Sequence, residues 1–190
     1  MLFNMRALRI LTAARLRLLF VFMTLLAFGA TGGSAQQKAA QDHNWTKHSF
    51  REDRFEIEFS GPFRTDAVKL DPATRKKVAR STQHIQVGSD FVFIVGAQHN
   101  IDAVNFDAGA QGSFATLNCL SRDSDTPLPV PGGRGREIKG NECLDNTMRV
   151  ETRYVESGKW FYQLIAIVPK ERTEDPAVQR FLQSFKIVGP

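Results

Sequence analysis

Apolar and polar residues alternate along three pairs of segments, and this alternation predicts antiparallel β-hairpins. A short polar or glycine-containing turn separates the two members of each pair, as is usual in hairpins. Phe91–Val95 and Trp160–Val168 are apolar on both faces, which indicates strands in the middle of a sheet that is covered above and below. The predicted pairs are Trp45–Phe50 with Phe55–Phe59, Ala79–Val87 with Phe91–Val95, and Met148–Val155 with Trp160–Val168.

Two segments with the spacing of amphipathic helices are predicted to pack on the faces of this sheet. A helix over 176–184 is predicted by Asp175 at the N-cap, Pro176 at the first position and apolar residues at helical spacing after them, with a short last strand over Phe185–Val188. A second helix is predicted over 107–120, although Gly109 and Gly112 weaken it by about 1 kcal/mol each. Together these elements predict an α+β fold, a mostly antiparallel sheet of about six or seven strands with two main helices packed on it.

The first 35 residues have the features of a secretory signal peptide. A segment with four Arg and no acidic residue precedes the apolar run Leu18–Phe28, and small residues follow up to Ala35. We predict cleavage after Ala35, export by a Sec-type route to the periplasm or the outside, a flexible tether over 36–43 and one globular domain over 44–190. The apolar run is about half as long as a transmembrane helix requires, so no stable span is expected after cleavage; a leader retained as an anchor is the alternative.

Removing the leader changes the interpretation of charge. The chain has 25 Lys and Arg against 20 Asp and Glu, and loss of the four leader Arg leaves 21 against 20. A nearly neutral protein is a poor candidate for binding nucleic acid. The remaining basic cluster, Arg75–Lys77 with Arg80, is interpreted as a solvated loop or strand edge, with a polyanion contact as the alternative.

The two cysteines, Cys119 and Cys143, are predicted to form a structural disulfide, because an isolated pair in an oxidising compartment is most simply bonded. Closing a loop of this length stabilises a fold by about 3.5 kcal/mol in the chain-entropy model. The loop contains the proline- and glycine-rich segment 126–133, which we expect not to pair regularly. A redox-active pair and two buried free thiols are the alternatives.

Several motifs follow one another in a distinctive order along the chain. They are a Trp45 strand, the Phe55–Pro62 run FEIEFSGP, the Gly133–Glu137 run GRGRE, the hairpin with Arg153-Tyr154 and Trp160–Leu164, and the Arg180–Phe185 run RFLQSF. In this order they resemble the motifs of small exported bacterial proteins of unassigned function. The resemblance implies a PsbP-like α/β/α sandwich, in which an antiparallel sheet lies between helices. Members of that fold class with known roles mostly bind or help to assemble other proteins.

No residue pattern predicts a catalytic, metal or cofactor site. No two of the four His residues have the i, i+2 or i, i+4 spacing typical of metal ligands, and His48 and His84 are interpreted as half-exposed strand residues. Glycines beside Arg134 and Arg136 suggest a weak anion site, since backbone donors and two guanidinium groups suit phosphate or carboxylate. The alternative is a loop entering a strand, with both Arg side chains solvated.

Two functional hypotheses follow. The first is a non-catalytic binding or assembly module for another envelope protein, acting through a sheet edge or through the loop enclosed by Cys119 and Cys143. The second is a small hydrolase or lyase, which requires His84 or His99 to meet a carboxylate within hydrogen-bond reach or one bridging water. The carboxylates considered are Asp90, Asp102 and Glu137. A lipid or small-molecule carrier is a third possibility.

Overall fold

A computed structural model describes residues 44–103, 105–172 and 174–189. Within that part of the chain, ten strands form two antiparallel sheets, accompanied by three helices. The strands are β1 (Thr46–Phe50), β2 (Phe55–Phe59), β3 (Arg64–Ala67), β4 (Val78–Val87), β5 (Val92–Asn100), β6 (Ser121–Leu128), β7 (Arg134–Cys143), β8 (Met148–Ser157), β9 (Trp160–Pro169) and β10 (Lys186–Ile187). The helices are α1 (Pro72–Arg75), α2 (Phe106–Ala115) and α3 (Pro176–Ser184). The predicted leader, its cleavage site at Ala35 and the tether over 36–43 lie outside the described residues.

The predicted α+β class and mostly antiparallel sheet are confirmed. The large sheet has the order β3-β4-β5-β9-β8-β7-β6, and the small sheet has the order β1-β2-β10. All three predicted hairpins are present, as β1–β2, β4–β5 and β8–β9. Strands β5 and β9, which are apolar on both faces, lie next to each other inside the large sheet.

Two sequence expectations about these elements need correction. The helix predicted over 107–120 ends at Ala115, and α2 is followed by a turn in which Asn118 has a φ of 47°. The segment 126–133 does pair in part, because β6 extends to Leu128 and pairs with β7. Pro127 is tolerated there because β6 is an edge strand, where a missing N–H costs no ladder bond on the open side.

The layers follow from the alternation of side chains along β9. Phe161 contacts the α2 side of the sheet, where it lies against Phe106 and beneath Gly109. Tyr162 points to the other face, where the small sheet and α3 pack. The buried core on that second face includes Phe55, Phe93 and Phe181, all fully buried. The small sheet and α3 therefore cover one face of the large sheet, and α2 covers the other.

Cys119 and Cys143 form the predicted disulfide. Cys143 is fully buried at the end of β7, and Cys119 follows the turn after α2. The bond therefore ties the end of the α2 turn to the large sheet. No helix of the described residues is long and apolar enough to cross a membrane.

Candidate functional site

The loop between β6 and β7, residues 129–133, is built on a tight turn. The N–H of Gly133 donates to the carbonyl of Val130 at 3.2 Å. Pro131 and Gly132 occupy the two central positions, and Gly132 has a φ of 68°. Proline followed by a residue with positive φ is the signature of a type II turn. The sequence of residues 129–133 thus fixes the conformation of this loop. We call it the Pro/Gly loop.

Two glycines allow this loop to lie against the large sheet. A Cβ on Gly133 would lie 2.0 Å from the carbonyl oxygen of Glu156. A Cβ on Gly135 would lie 2.7 Å from a methyl group of Val130, whose side chain packs against the core. The glycines of this segment therefore serve close packing of chain against chain.

An apolar groove of about 390 Å³ lies between the Pro/Gly loop and the corner where α3 passes into β10. Its volume falls in the range of ligand pockets, roughly 300–1,000 Å³. The buried side chains Val155, Leu164 and Leu182 line it together with more exposed neighbours. The other lining residues are Leu128, Pro129, Val130, Pro131, Arg153, Gln183, Phe185, Lys186 and Ile187.

Arg153 and Ser184 fix the shape of the groove at the α3 corner. Arg153 donates from Nη1 to the carbonyl of Leu182 at 3.0 Å and from Nε to Glu137 at 2.8 Å. It thereby satisfies an otherwise unpaired carbonyl at the helix end, where a cation is also favoured by the helix dipole. The hydroxyl of Ser184 donates to the carbonyl of Phe181 and accepts from the N–H of Glu58. These bonds tie the end of α3 to both sheets.

The groove has a positive charge balance. Its lining includes two cationic side chains and no carboxylate. Arg153 is neutralised by Glu137, but Lys186 has no carboxylate within 4.0 Å among the described residues. The groove can therefore accept an apolar group with a negative charge at the rim beside Lys186.

The weak anion-site candidates, Arg134 and Arg136, do not line this groove and are already paired. Arg134 pairs with Glu156 and lies over the ring of Phe106. Arg136 binds Asp125 through two nitrogens and also reaches Asp107 at 3.0 Å. The hydrogen bond from Arg136 lowers the pKa of Asp125, against the effect of burial. An anion at this place would have to compete with the protein's own carboxylates.

A second polar cluster, which sequence analysis missed, centres on Asp53 in the turn between β1 and β2. The side chain of Asp53 is 4% exposed. Its Oδ2 accepts from Thr82 at 2.9 Å and contacts Nε2 of His84 at 3.3 Å, while Oδ1 lies 2.9 Å from Nε of Arg80. Burial alone would raise the pKa of Asp53, but the hydrogen bonds from His84 and Thr82 and the charge of Arg80 hold it below 3.8.

His84 is fully buried in this cluster, which corrects the expectation of a half-exposed residue. The pKa of Asp53 is lowered, so its carboxylate can accept a hydrogen bond from Nε2 of His84, and in that neutral tautomer Nδ1 is an acceptor. Nδ1 lies 2.9 Å from the hydroxyl of Thr65 on β3, which donates to it in the same tautomer. A hydrogen-bonded chain thus leads from an exposed hydroxyl through an imidazole to a buried carboxylate, the arrangement of an activated nucleophile.

Two of the three carboxylates named from the sequence as partners for histidine, Asp90 and Glu137, pair with arginine side chains. Asp90 pairs with Arg172, and Glu137 pairs with Arg153. His99 stacks on Trp160 at 4.8 Å between ring centres. In the described residues, no group of three or more His, Cys, Asp or Glu is placed to hold a metal ion.

The members of the basic cluster differ in their environment: some are exposed to solvent and one forms ion pairs within the protein. Residues 75–77 are exposed around the end of α1, whereas Arg80 pairs with Glu52 and Asp53. The sequence offered no signal for the Asp53 cluster, because Asp53 stands in a charged tetrapeptide that is typical of an exposed turn.

Comparison with protein-family models gives no match, and no curated protein matches the chain.

Proposed function

We propose that this protein is an exported, non-catalytic binding module for another envelope protein, and that the groove beside the Pro/Gly loop is its contact surface. The observation that carries the proposal is the groove itself, a pre-shaped apolar cleft with Lys186, which has no ion-pair partner among the described residues, at its rim. We further propose a PsbP-like sandwich, supported by the cover of α2 on one face of the large sheet and of α3 with the small sheet on the other. In this reading the leader is cleaved after Ala35.

The rigidity of the groove supports a binding role. Pro131 and Gly132 fix the loop on one side, while Arg153 and Ser184 fix the α3 corner on the other. A binding surface whose shape exists before the partner arrives loses less conformational entropy when the partner binds. The disulfide stabilises the end of β7, the strand into which this loop runs, and suits an oxidising compartment.

Site-specific photo-crosslinking in cells that export the full chain tests the proposal. A photoreactive amino acid replaces Gln183, which is exposed and lines the groove, or Gln111, which is exposed on α2 on the opposite face. We expect one discrete envelope-protein adduct from position 183 and none from position 111. Equal adducts from both positions, or none from either, would contradict a groove-based partner. The mass of the purified protein shows whether it begins after Ala35.

The hydrogen-bonded chain of Thr65, His84 and Asp53 favours a second candidate function, a small hydrolase that uses the Thr65 hydroxyl as nucleophile. Under this hypothesis a fluorophosphonate probe phosphonylates Thr65, because His84 can take the hydroxyl proton as the bond from Oγ1 to phosphorus forms and fluoride leaves. Labelling is measured by peptide mass spectrometry and compared with Thr46, an exposed strand threonine on β1. Equal or absent labelling of the two threonines excludes this candidate.

A further inference from the structure

The small sheet ends at β10, and its open edge borders the groove. We infer that the occupant of the groove is an extended peptide segment of alternating aliphatic and acidic residues, which adds to β10 as a further strand. This inference rests on the proposed binding function and names the chemistry of the partner. It draws on the backbone register of β10, on the lining of the groove and on the charges of the outer face.

The backbone register leaves one residue of β10 ready to pair. The N–H of Val188 donates to the carbonyl of Arg54 at 3.0 Å, so Lys186, two residues earlier, also directs its backbone groups toward β2. Ile187, which lies opposite Phe55, is then in a non-hydrogen-bonded position. Its N–H and C=O point to the open edge, and they have no backbone partner among the described residues. An added strand would satisfy both groups.

The groove sets which side chains of an added strand are favoured on the inner face. The side chain of Ile187 packs toward the core. A residue opposite Ile187 would place its side chain on the same face, between the Pro/Gly loop and Leu182. That space is lined by aliphatic side chains and prolines, so it favours a valine, leucine or isoleucine. Burial of each such side chain contributes to affinity in proportion to the apolar area removed from water.

The solvent-facing side of the small sheet determines which residues are favoured between the aliphatic residues of the added strand. Lys47 on β1 pairs with Glu56 on β2, and Glu56 stands across from Lys186 on β10. The signs of charge therefore alternate from strand to strand and end at Lys186, which has no ion-pair partner in the part of the chain that the structure describes. An added strand continues this ladder if the residue beside Lys186 is Asp or Glu, since opposite charges on neighbouring strands attract.

A peptide fits these observations better than a lipid does. A fatty acid would fill the apolar groove and offer a charge to Lys186, but it would leave the N–H and C=O of Ile187 without partners at a dehydrated edge. Strand addition provides both bonds and is an established way in which proteins recognise extended peptides.

The test uses the protein purified from cells that express the full chain with its leader, labelled with ¹⁵N. The probe is the acetylated and amidated peptide Val-Asp-Val-Asp-Val, titrated while amide resonances are recorded. We expect saturable binding below about 1 mM, with the Ile187 amide shifting as its N–H gains an acceptor. Methylation of the valine nitrogens, which would face Ile187, should weaken binding by roughly tenfold. Methylation of the aspartate nitrogens, which would face solvent, is the matched control and should change affinity by less than about twofold.

Charge is tested separately. We expect Lys186→Glu to weaken binding of the aspartate peptide and to favour the same peptide with lysine in place of aspartate, whereas Lys76→Glu, at an exposed position outside the groove, should change neither. Absence of saturable peptide binding, equal loss from both methylated peptides, or saturable binding of dodecanoate alone would overturn the inference. Any of these results together with a protein adduct at position 183 would leave the proposed binding function standing.

Discussion

Replacement of Asp53 by Asn tests whether the buried polar cluster anchors the small sheet to the large one. Asp53 lies in the turn between β1 and β2, while Thr82 and His84 both belong to β4 in the other sheet. The hydroxyl of Tyr162 on β9 also donates to the backbone carbonyl of Asp53 at 3.1 Å. The turn is thus held by side-chain and main-chain bonds to the large sheet, and the substitution changes only the side-chain part.

The expected loss can be worked from these contacts. A hydrogen bond to a charged group contributes about 1.5–3 kcal/mol and a neutral one about 0.5–1.5, so neutralising Asp53 weakens its bonds from His84 and Thr82 by about 1–1.5 kcal/mol each. Loss of the ion pair with Arg80 adds to this. We expect a total of about 3 kcal/mol. The control Glu52→Gln removes a carboxylate that pairs with the same Arg80 but is 78% exposed, and should cost less than about 1 kcal/mol.

The free energy of unfolding of both variants is measured by urea unfolding, followed by the fluorescence of Trp45 and Trp160, with the disulfide intact.

The pH dependence of this free energy gives a second check. Because the pKa of Asp53 is lowered in the folded state, its contribution is present above the ordinary value of 3.8 and is lost as the pH falls through the lowered folded pKa. The gap between wild type and Asp53→Asn should therefore persist at neutral pH and close only in strong acid. Equal losses for Asp53→Asn and Glu52→Gln at pH 7 would refute the anchoring role.

Further predictions concern the disulfide and two glycines. Replacing Cys119 and Cys143 by Ser should lower the free energy of unfolding by about 3.5 kcal/mol, and reduction of the wild type should have a similar effect in urea unfolding. Gly133→Ala should cost about 1–3 kcal/mol, because its Cβ would meet the backbone oxygen of Glu156, which cannot move freely. Gly112→Ala, in a helix with nothing within 4 Å of the new Cβ, should instead stabilise by up to about 1 kcal/mol in thermal unfolding.

The glycine-rich segment shows how a local pattern can be assigned to the wrong cause. Glycines flanking Arg134 suggested backbone donors for an anion. In the fold, Gly133 lets the Pro/Gly loop lie against β8 and Gly135 leaves room for Val130 of that loop, while the two Arg side chains pair with carboxylates from other elements. Those partners are distant in sequence, so no local spacing rule could identify them.

The edge strands were missed for a related reason. Strand β3 is exposed at all four residues, and β6 is mostly charged or polar, so neither has the apolar alternation that identifies a half-buried strand. Their pairing depends on free backbone groups at the edges of β4 and β7, which exist only once the central strands have assembled.

The sequence by itself determined the three hairpins, the helix over 176–184, the α+β class and the pair of cysteines available for the disulfide. The hairpins and the helix depend on periodicity and capping, which involve only a few neighbouring residues. The disulfide was predicted from the number of cysteines and the expected oxidising compartment. Only the tertiary structure decided that Asp53 is buried beside His84, that two sheets form instead of one, and that the Pro/Gly loop and β10 enclose a groove. Each of these joins residues far apart in the chain, and the energy that selects them comes from mutual burial and pairing, which no single segment contains.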